Sequence, residues 1–349
     1  MTQTNIMGWD IGGAHVKAAV INPAGEVIAV YQQPCPLWKG LDQLRSAVTR
    51  ILDEASGRHY QQAITMTGEL VDLFEDRDDG VKQIIETMTM LLSKTHCLVF
   101  AGQQGFLEYG QVKASDYQAI ASANWLASAS FAAQKVDNGL FVDIGSTTTD
   151  ILLLNDGKVL AQGYTDYQRL ISQELIYTGI VRTAVMAVAQ TASDQGQEIG
   201  IMAEYFATMA DVYRVTGELN ELHDQTETAD GAEKTITASA RRLSRMIGSD
   251  FFPEELPRWQ QFAEAIRAQQ LQKIQRGCEY RIKNVDFSNT NPLIGAGVGR
   301  FLVKQTAQSL DYPYLDFSDL FPEVLNQTGL STADCAPAVA VACMARELF

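Results

Sequence analysis

The feature that most constrains this chain is the stretch Leu140 to Leu154, Leu-Phe-Val-Asp-Ile-Gly-Ser-Thr-Thr-Thr-Asp-Ile-Leu-Leu-Leu. Phe141, Val142 and Ile144 favour a strand and Ile151 to Leu154 resume one, so the pattern predicts strand, tight turn, strand. Between the two runs, Asp143 to Asp150 are almost all small or oxygen-bearing. Gly145 lets the backbone approach a ligand closely, and successive N–H groups in such a turn form a concavity suited to phosphate. Gly145, Ser146, Thr147 and Thr148 are therefore candidate phosphate-binding residues. Asp143, at the end of an apolar strand, is a candidate for a magnesium ion or its water. The same grammar occurs near the start of the chain. Ile6 to Val20 carries Asp10, Ile11, Gly12 and Gly13 between two apolar strands. Gly12 and Gly13 join the phosphate set and Asp10 the metal set, while His15 either touches a phosphate or simply lies on the strand. A third loop lies in Pro292 to Leu302, where a short apolar strand runs into Gly295-x-Gly297-x-Gly299 and then a helix, with Gly295, Ala296, Gly297 and Gly299 as candidate substrate- or nucleotide-binding residues.

The rest of the chain alternates strands with helices, which predicts an α/β protein. Residues 5 to 33 read as three strands, with Asn22-Pro-Ala-Gly25 as a turn. Helices are expected over Leu41 to Ala55, Asp79 to Lys94 and Ser115 to about Gln134, with strands at Gln62 to Met66 and Cys97 to Ala101. The opening is then repeated: Gly139 to Ile144, Asp150 to Asn155 and Lys158 to Gly163 read as three strands, with Asn155-Asp-Gly157 as a hairpin turn. Residues 170 to 290 lack strand patterning and are expected to be mainly helical, including one long helix from Pro257 to Lys283. Within them, Thr216 to Thr235 is acidic and polar and reads as an exposed loop or lid. Ala333 to Leu348 closes the chain as a helix. Two domains follow, 1–135 and 136–349, the second with a helical insertion at about 170–290. In open α/β sheets the ligand lies beyond the carboxyl ends of the strands, so Asp10 and Asp143 are expected to face one interdomain cleft.

Composition narrows the partners. The net charge of −15 argues against nucleic acid and against an anionic membrane surface, since both would repel the chain. It leaves phosphate ligands open, because backbone dipoles and a metal ion can hold them. Five cysteines without a CxxC pair indicate neither a disulfide framework nor a zinc site. Four read as small core residues, and Cys35, between two prolines, as a loop thiol. The early apolar run is interrupted by Asp10, and Ala119 to Ala133 is too short and too polar to span a bilayer, so a cytoplasmic protein is expected.

Glu69 and Asp72, in the turn after the strand ending at Met66, are candidates for a general base, because proton removal needs a carboxylate within reach of the acceptor hydroxyl. Glu69 could equally cap the following segment, and Asp72 could be solvated. Arg169, Glu174, Tyr177 and Arg182 fall close together in sequence. The planar fork of arginine binds two phosphate oxygens at once, although on pattern alone these residues also fit the charged surface of a helix.

The two Asp-Ile-Gly turns and the Gly295 loop, in that order, resemble the phosphate-1, phosphate-2 and adenosine loops of the actin, sugar kinase and Hsp70 superfamily. More specifically, Asp10-Ile-Gly-Gly, Met66-Thr-Gly-Glu-Leu70, Ser122-Ala-Asn-Trp-Leu126, Asp143 to Asp150, Glu174-Leu-Ile-Tyr-Thr-Gly179 and Thr228-Ala-Asp-Gly231 resemble one group. It is the hydantoinase/oxoprolinase-related proteins of tetrahydromethanopterin-linked one-carbon transfer, and the resemblance covers nearly the whole chain. It implies two duplicated ribonuclease H-like (actin-like ATPase) domains. It also implies a magnesium-dependent transferase of methanofuran-type cofactor biosynthesis. That enzyme would couple an aminomethyl-furanmethyl diphosphate to the phenol of a γ-glutamyltyramine- or tyrosine-type acceptor and release diphosphate. On it, Asp10, Asp143 and Glu69 are the expected catalytic residues, and Asn124, Arg169, Glu174 and Arg182 contact substrate. ATP is a possible ligand that this reaction does not require, and a homodimer a possible assembly. The Gly295 loop then seats either the furan or tyramine part or a nucleotide. The loops alone equally fit an ATP-dependent small-molecule kinase, or a non-catalytic nucleotide-dependent switch or assembly protein.

Overall fold

The computed structural model describes residues 4–55, 60–92, 96–283, 285–322 and 329–349. The described chain separates into two compact units. One comprises Met1–Asn138, Leu154–Leu160 and Asp316–Phe349, and the other Gly139–Leu153 and Ala161–Leu315.

In the first unit β1 (Ile6–Ile11), β2 (His15–Ile21) and β3 (Val27–Pro34) form an antiparallel meander. Helix α1 (Leu41–Glu54) crosses back to β4 (Gln61–Met66), which runs parallel to β1 with Ile11 opposite Met66. Helix α2 (Arg77–Leu91) leads to β5 (Cys97–Phe100), parallel to β4, and β6 (Phe106–Glu108) closes the sheet in the order β3-β2-β1-β4-β5-β6. The last expected residues of that second helix, up to Lys94, lie outside the described residues. Leu44, Val48, Ile51 and Leu52 of α1 are all buried, which is what their stripe dictates. Because β1 and β4 are parallel and in register, both end on the same side of the sheet, with Asp10 near the end of β1 and Glu69 in the turn after β4.

Two features of this unit differ from the sequence reading. The helix expected from Ser115 to Gln134 is broken into α3 (Tyr117–Ile120) and α4 (Asn124–Lys135), because Ser122 adopts a left-handed backbone with φ of 50°. Cys35, expected as a loop thiol, is fully buried, and burial pushes its thiol up to about 12 from an ordinary 9.0.

The second unit opens with β7 (Gly139–Ile144) and β8 (Thr149–Asn155), and the chain then passes through β9 (Lys158–Val159). Asp156 and Gly157 carry the positive φ values that the predicted hairpin turn requires. The expected third strand to Gly163 stops at Val159. The amides of Gln162 and Gly163 donate instead to the Glu174 carboxylate, at 2.8 and 3.0 Å, and are lost to a ladder. Helix α5 (Asp166–Ile171) follows, and β10 (Leu175–Ile176) pairs with β8. The region expected to be mainly helical holds α6 (Val185–Val188) and a separate hairpin, β11 (Thr191–Asp194) with β12 (Gln197–Gly200), as well as α7 (Met209–Thr216), α8 (Ile236–Arg245) and α9 (Leu256–Ile282). Strand β13 (Leu293–Ala296) lies parallel to β7 with Ala296 opposite Asp143, and α10 (Arg300–Ser309) and β14 (Tyr314–Asp316) complete the order β10-β8-β7-β13-β14.

The expected lid, Thr216 to Thr235, is tied down by charge. Arg214 pairs with Glu221 at 2.8 Å and with Asp224 at 2.5 Å, and Arg242 pairs with Asp230 at 3.0 Å. Both arginines are buried. The closing helix α11 (Ala336–Ala345), grouped by the sequence with the second domain, packs on β1 of the first unit. A Cβ on Gly8 would collide with the carbonyl oxygen of Ala338, so glycine permits that contact.

Candidate functional site

In the first unit the turn between β1 and β2 is closed by Gly12, whose amide donates to the carbonyl of His15 at 3.0 Å. A Cβ on Gly12 would lie 2.9 Å from that oxygen, and one on Gly13 would lie 2.7 Å from Val71 Cγ1. Both glycines are thus needed for the turn to fold this tightly. Asp10 and His15 are buried beneath it. The turn after β4 is fastened to the same place, since Thr67 donates its amide to Ile11 at 2.9 Å. It carries Glu69, 1% exposed, whose Oε1 accepts from Ser122 Oγ at 2.6 Å. Asp72, the other base candidate, points into solvent. Asn124, expected to contact substrate, turns its amide inward. Its Nδ2 donates to Asp10 Oδ1 at 3.4 Å, and its Oδ1 accepts from the amide of Trp125 at 2.7 Å.

The loop of the second unit is built in the same way. The Gly145 amide donates to the carbonyl of Thr148 at 2.9 Å, reproducing the span and closure of the first turn. Residues 179 to 183 clasp it: Ile180 donates to the Gly145 carbonyl, Val181 and Arg182 both donate to the Ser146 carbonyl, and Thr183 Oγ1 donates to the Thr147 carbonyl at 3.2 Å. Gly179 sits directly beneath, where a Cβ would collide with the backbone of Ser146 and Thr147. The Arg182 backbone therefore lies on the loop. Burial lowers its guanidinium pKa, with Tyr205 and Tyr177 acting against that shift.

The third glycine loop completes this unit's site. The Gly299 amide donates to the Ile144 carbonyl at 2.9 Å, and Gly297, at φ 76°, comes so close that a Cβ would collide with Asp143 Oδ1. Gly295 abuts the ring of Tyr314, with its Cβ position 2.8 Å from the hydroxyl oxygen. Ala296 is fully buried in β13. Asp143, Gly145 to Thr148, Arg182 and the Gly297 turn are thus gathered at one end of β7 and β13.

Two expected ligand-binding residues are taken up elsewhere. Arg169 is 2% exposed and its Nη2 donates to Asp150 at 2.6 Å and to the carbonyl of Glu174 at 3.2 Å. Glu174 is fully buried, accepting from Gln162, Gly163, Ser172 and, at 3.0 Å, from Arg281. Burial raises the Asp150 carboxyl, and its Arg169 partner opposes that. These groups join β8, α5, β10 and α9 in one internal network. The sequence brought Arg169 and Glu174 forward as charges; only the fold reveals that they face each other's elements. Ser122 and Gly179 stood within the motifs of the resemblance but, like Thr183, were given no role at the site, and nothing in their residue type alone distinguishes them. Gln270 is a further one: fully buried on α9, it donates to Thr178 Oγ1 at 2.7 Å and to the Gly179 carbonyl at 2.9 Å, supporting the clasp from below.

Among the described residues no cluster of three or more His, Cys, Asp or Glu could hold a metal ion. Asp10 in the first unit and Asp143 in the second each offer a single carboxylate, and magnesium is usually bound by one or two carboxylates with waters and substrate phosphates. Also among the described residues, no helix is long and apolar enough to cross a membrane.

A model of the hydantoinase/oxoprolinase family matches residues 61–339. The (4-{4-[2-(γ-L-glutamylamino)ethyl]phenoxymethyl}furan-2-yl)methanamine synthase of Methanocaldococcus jannaschii is 30% identical over 300 residues, 86% of this chain and 87% of that protein. The synthase of the same name from Methanococcus vannielii is 35% identical over 123 residues, 35% of this chain and 55% of its own length. Among solved structures, nucleotide-free acetone carboxylase superposes with a TM-score of 0.58 at 11% identity, covering 99% of this chain and 70% of that one. At that identity the likeness is one of fold.

Proposed function

The chain belongs to the hydantoinase/oxoprolinase family, and on that premise we propose that it is a transferase of methanofuran-type cofactor biosynthesis in an actin-like, internally duplicated fold. The observation that carries the reading is the 30% identity to the M. jannaschii synthase, spread over 86% of the chain. That relative's name describes a phenoxymethyl-furan, an aryl ether between a phenol and a furanmethyl carbon. The reaction proposed makes that bond. The phenol oxygen of a γ-glutamyltyramine- or tyrosine-type acceptor loses its proton and attacks the furanmethyl carbon. The carbon–oxygen bond to diphosphate breaks, and diphosphate departs with the electron pair.

The site geometry supports this chemistry in stages. The Gly145–Thr148 loop offers backbone N–H groups and three hydroxyls to an anion, held rigid by residues 179 to 183. Arg182, whose backbone is fixed to the loop, adds a guanidinium suited to two oxygens of a diphosphate. Asp143 in the second unit and Asp10 in the first are each proposed as a magnesium ligand, and a magnesium ion at the Asp143 loop would neutralise charge on the leaving group. Glu69, buried beside the turn after β4, is the proposed base for the phenol proton. The shared closure of the Gly12 and Gly145 turns, each spanning three residues from amide to carbonyl, favours the internal duplication.

The glycine-rich turn from Gly295 to Gly299, which leads from β13 into α10 beside Asp143, supports a second reading, an ATP-dependent small-molecule kinase, because such a strand-to-helix turn suits a nucleotide. Mass spectrometry separates the two. The transferase converts a furanmethyl diphosphate and a tyramine-type acceptor to their aryl ether in magnesium without ATP. Phosphorylated acceptor formed only with ATP would replace this reading by the kinase.

A further inference from the structure

The break between α3 and α4 has no sequence cause of the usual kind, since no glycine or proline lies between Tyr117 and Lys135. Ser122 occupies the left-handed region there, at φ 50°. That conformation costs an L-residue roughly 1–2 kcal/mol and persists only where its surroundings impose it. The side chain so presented is 6% exposed, and its hydroxyl donates to Glu69 Oε1 at 2.6 Å. Two residues later Asn124 donates to Asp10 Oδ1 at 3.4 Å, with the amide's orientation pinned by its bond to the Trp125 amide. One break therefore addresses two carboxylates on two different chain segments, Asp10 near the end of β1 and Glu69 in the turn after β4. Glu69 is bounded on a further side by α2, where a Cβ on Gly80 would lie 2.5 Å from the Glu69 carbonyl oxygen and 2.9 Å from its Cβ.

We propose that Ser122 is a positioning residue: the strained helix break exists to hold Glu69 in the orientation from which it takes the acceptor proton, while Asn124 steadies Asp10. The role of Glu69 as base rests on the function proposed above; the positioning itself is structural and can be read without turnover. A backbone-only explanation of the break makes a different forecast for glycine, which adopts φ 50° without strain.

The test is Ser122→Gly, with Ser122→Ala beside it, in the full-length protein. Glycine keeps the break and deletes the hydroxyl, whereas alanine deletes the hydroxyl and keeps the strain. In crystals of both variants the Glu69 carboxylate is expected to leave its wild-type position while the backbone of 121–124 stays in place. In kinetics both lose about ten- to a hundredfold in kcat with the KM for the diphosphate substrate unchanged, although their melting temperatures differ. An unmoved Glu69 carboxylate, or full kcat in Ser122→Gly, overturns the inference. A wild-type protein that forms no aryl ether removes the function instead, and the crystallographic comparison still decides the positioning.

Discussion

Replacing Asp143 or Asp10 with alanine deletes one carboxylate and its side-chain contacts while keeping the backbone, so each is expected to abolish aryl-ether formation while the far-ultraviolet circular dichroism stays that of the wild type. Retained turnover in either variant removes that residue as a proposed magnesium ligand. Glu174 behaves differently. Glu174→Gln leaves Arg281 without its anionic partner inside the second unit, and breaking a buried pair in this way costs about 3–5 kcal/mol. Urea denaturation should show that loss with no change in the affinity for magnesium diphosphate; weakened affinity at full stability would return Glu174 to the ligand site. The contrast marks what residue type can convey. Small residues around Asp10 and Asp143 announce a close backbone approach, and the structure contains it. Arg169 and Glu174 carry charge that sequence cannot orient, because whether a charge faces water or a buried partner depends on elements far along the chain, such as α9 with Arg281.

At the scale of elements, the Gly297 turn provides the sharpest comparison. Gly297 and Gly105 both have positive φ, at 76° and 75°, yet a Cβ on Gly105 meets nothing within 4 Å whereas one on Gly297 collides with Asp143. Gly105→Ala should therefore cost roughly 1–3 kcal/mol of backbone strain and leave ligand binding intact. Gly297→Ala should lower the affinity for magnesium diphosphate at least tenfold by calorimetry; equal affinities in the two variants would show that the loop stands apart from the Asp143 site. The strands beside the three glycine loops were legible because apolar runs end in residues that only turns use. The long helix α9 was legible from its length. The break at Ser122 was not, since an alanine- and serine-rich run reads as uninterrupted helix until a tertiary contact with Glu69 is known. Nor was the home of α11: buried on nearly every side, it has no polar stripe to say which sheet it covers.

For the molecule as a whole, the thiols of Cys35, Cys97, Cys278 and Cys335 are all pushed up to about 12 by burial, from an ordinary 9.0. The folded state therefore favours the neutral thiols, a contribution fully present below about pH 9 and lost as pH rises towards about 12. The urea midpoint should accordingly fall over that interval, and a flat profile through it would contradict the burial of these thiols. The net charge of −15 is set against this interior, and it leaves recognition of an anionic substrate to loops and a metal ion in place of a basic surface. The central claim is that the Asp143 loop holds a diphosphate that leaves as an aryl ether forms. Its most direct measurement is the rate of diphosphate release from a furanmethyl diphosphate in magnesium, with and without a tyramine-type acceptor, for the wild type and Asp143→Ala. The account predicts release only with the acceptor present, matched by equimolar ether and lost in Asp143→Ala. Release that ignores the acceptor, or that survives in Asp143→Ala, would contradict it.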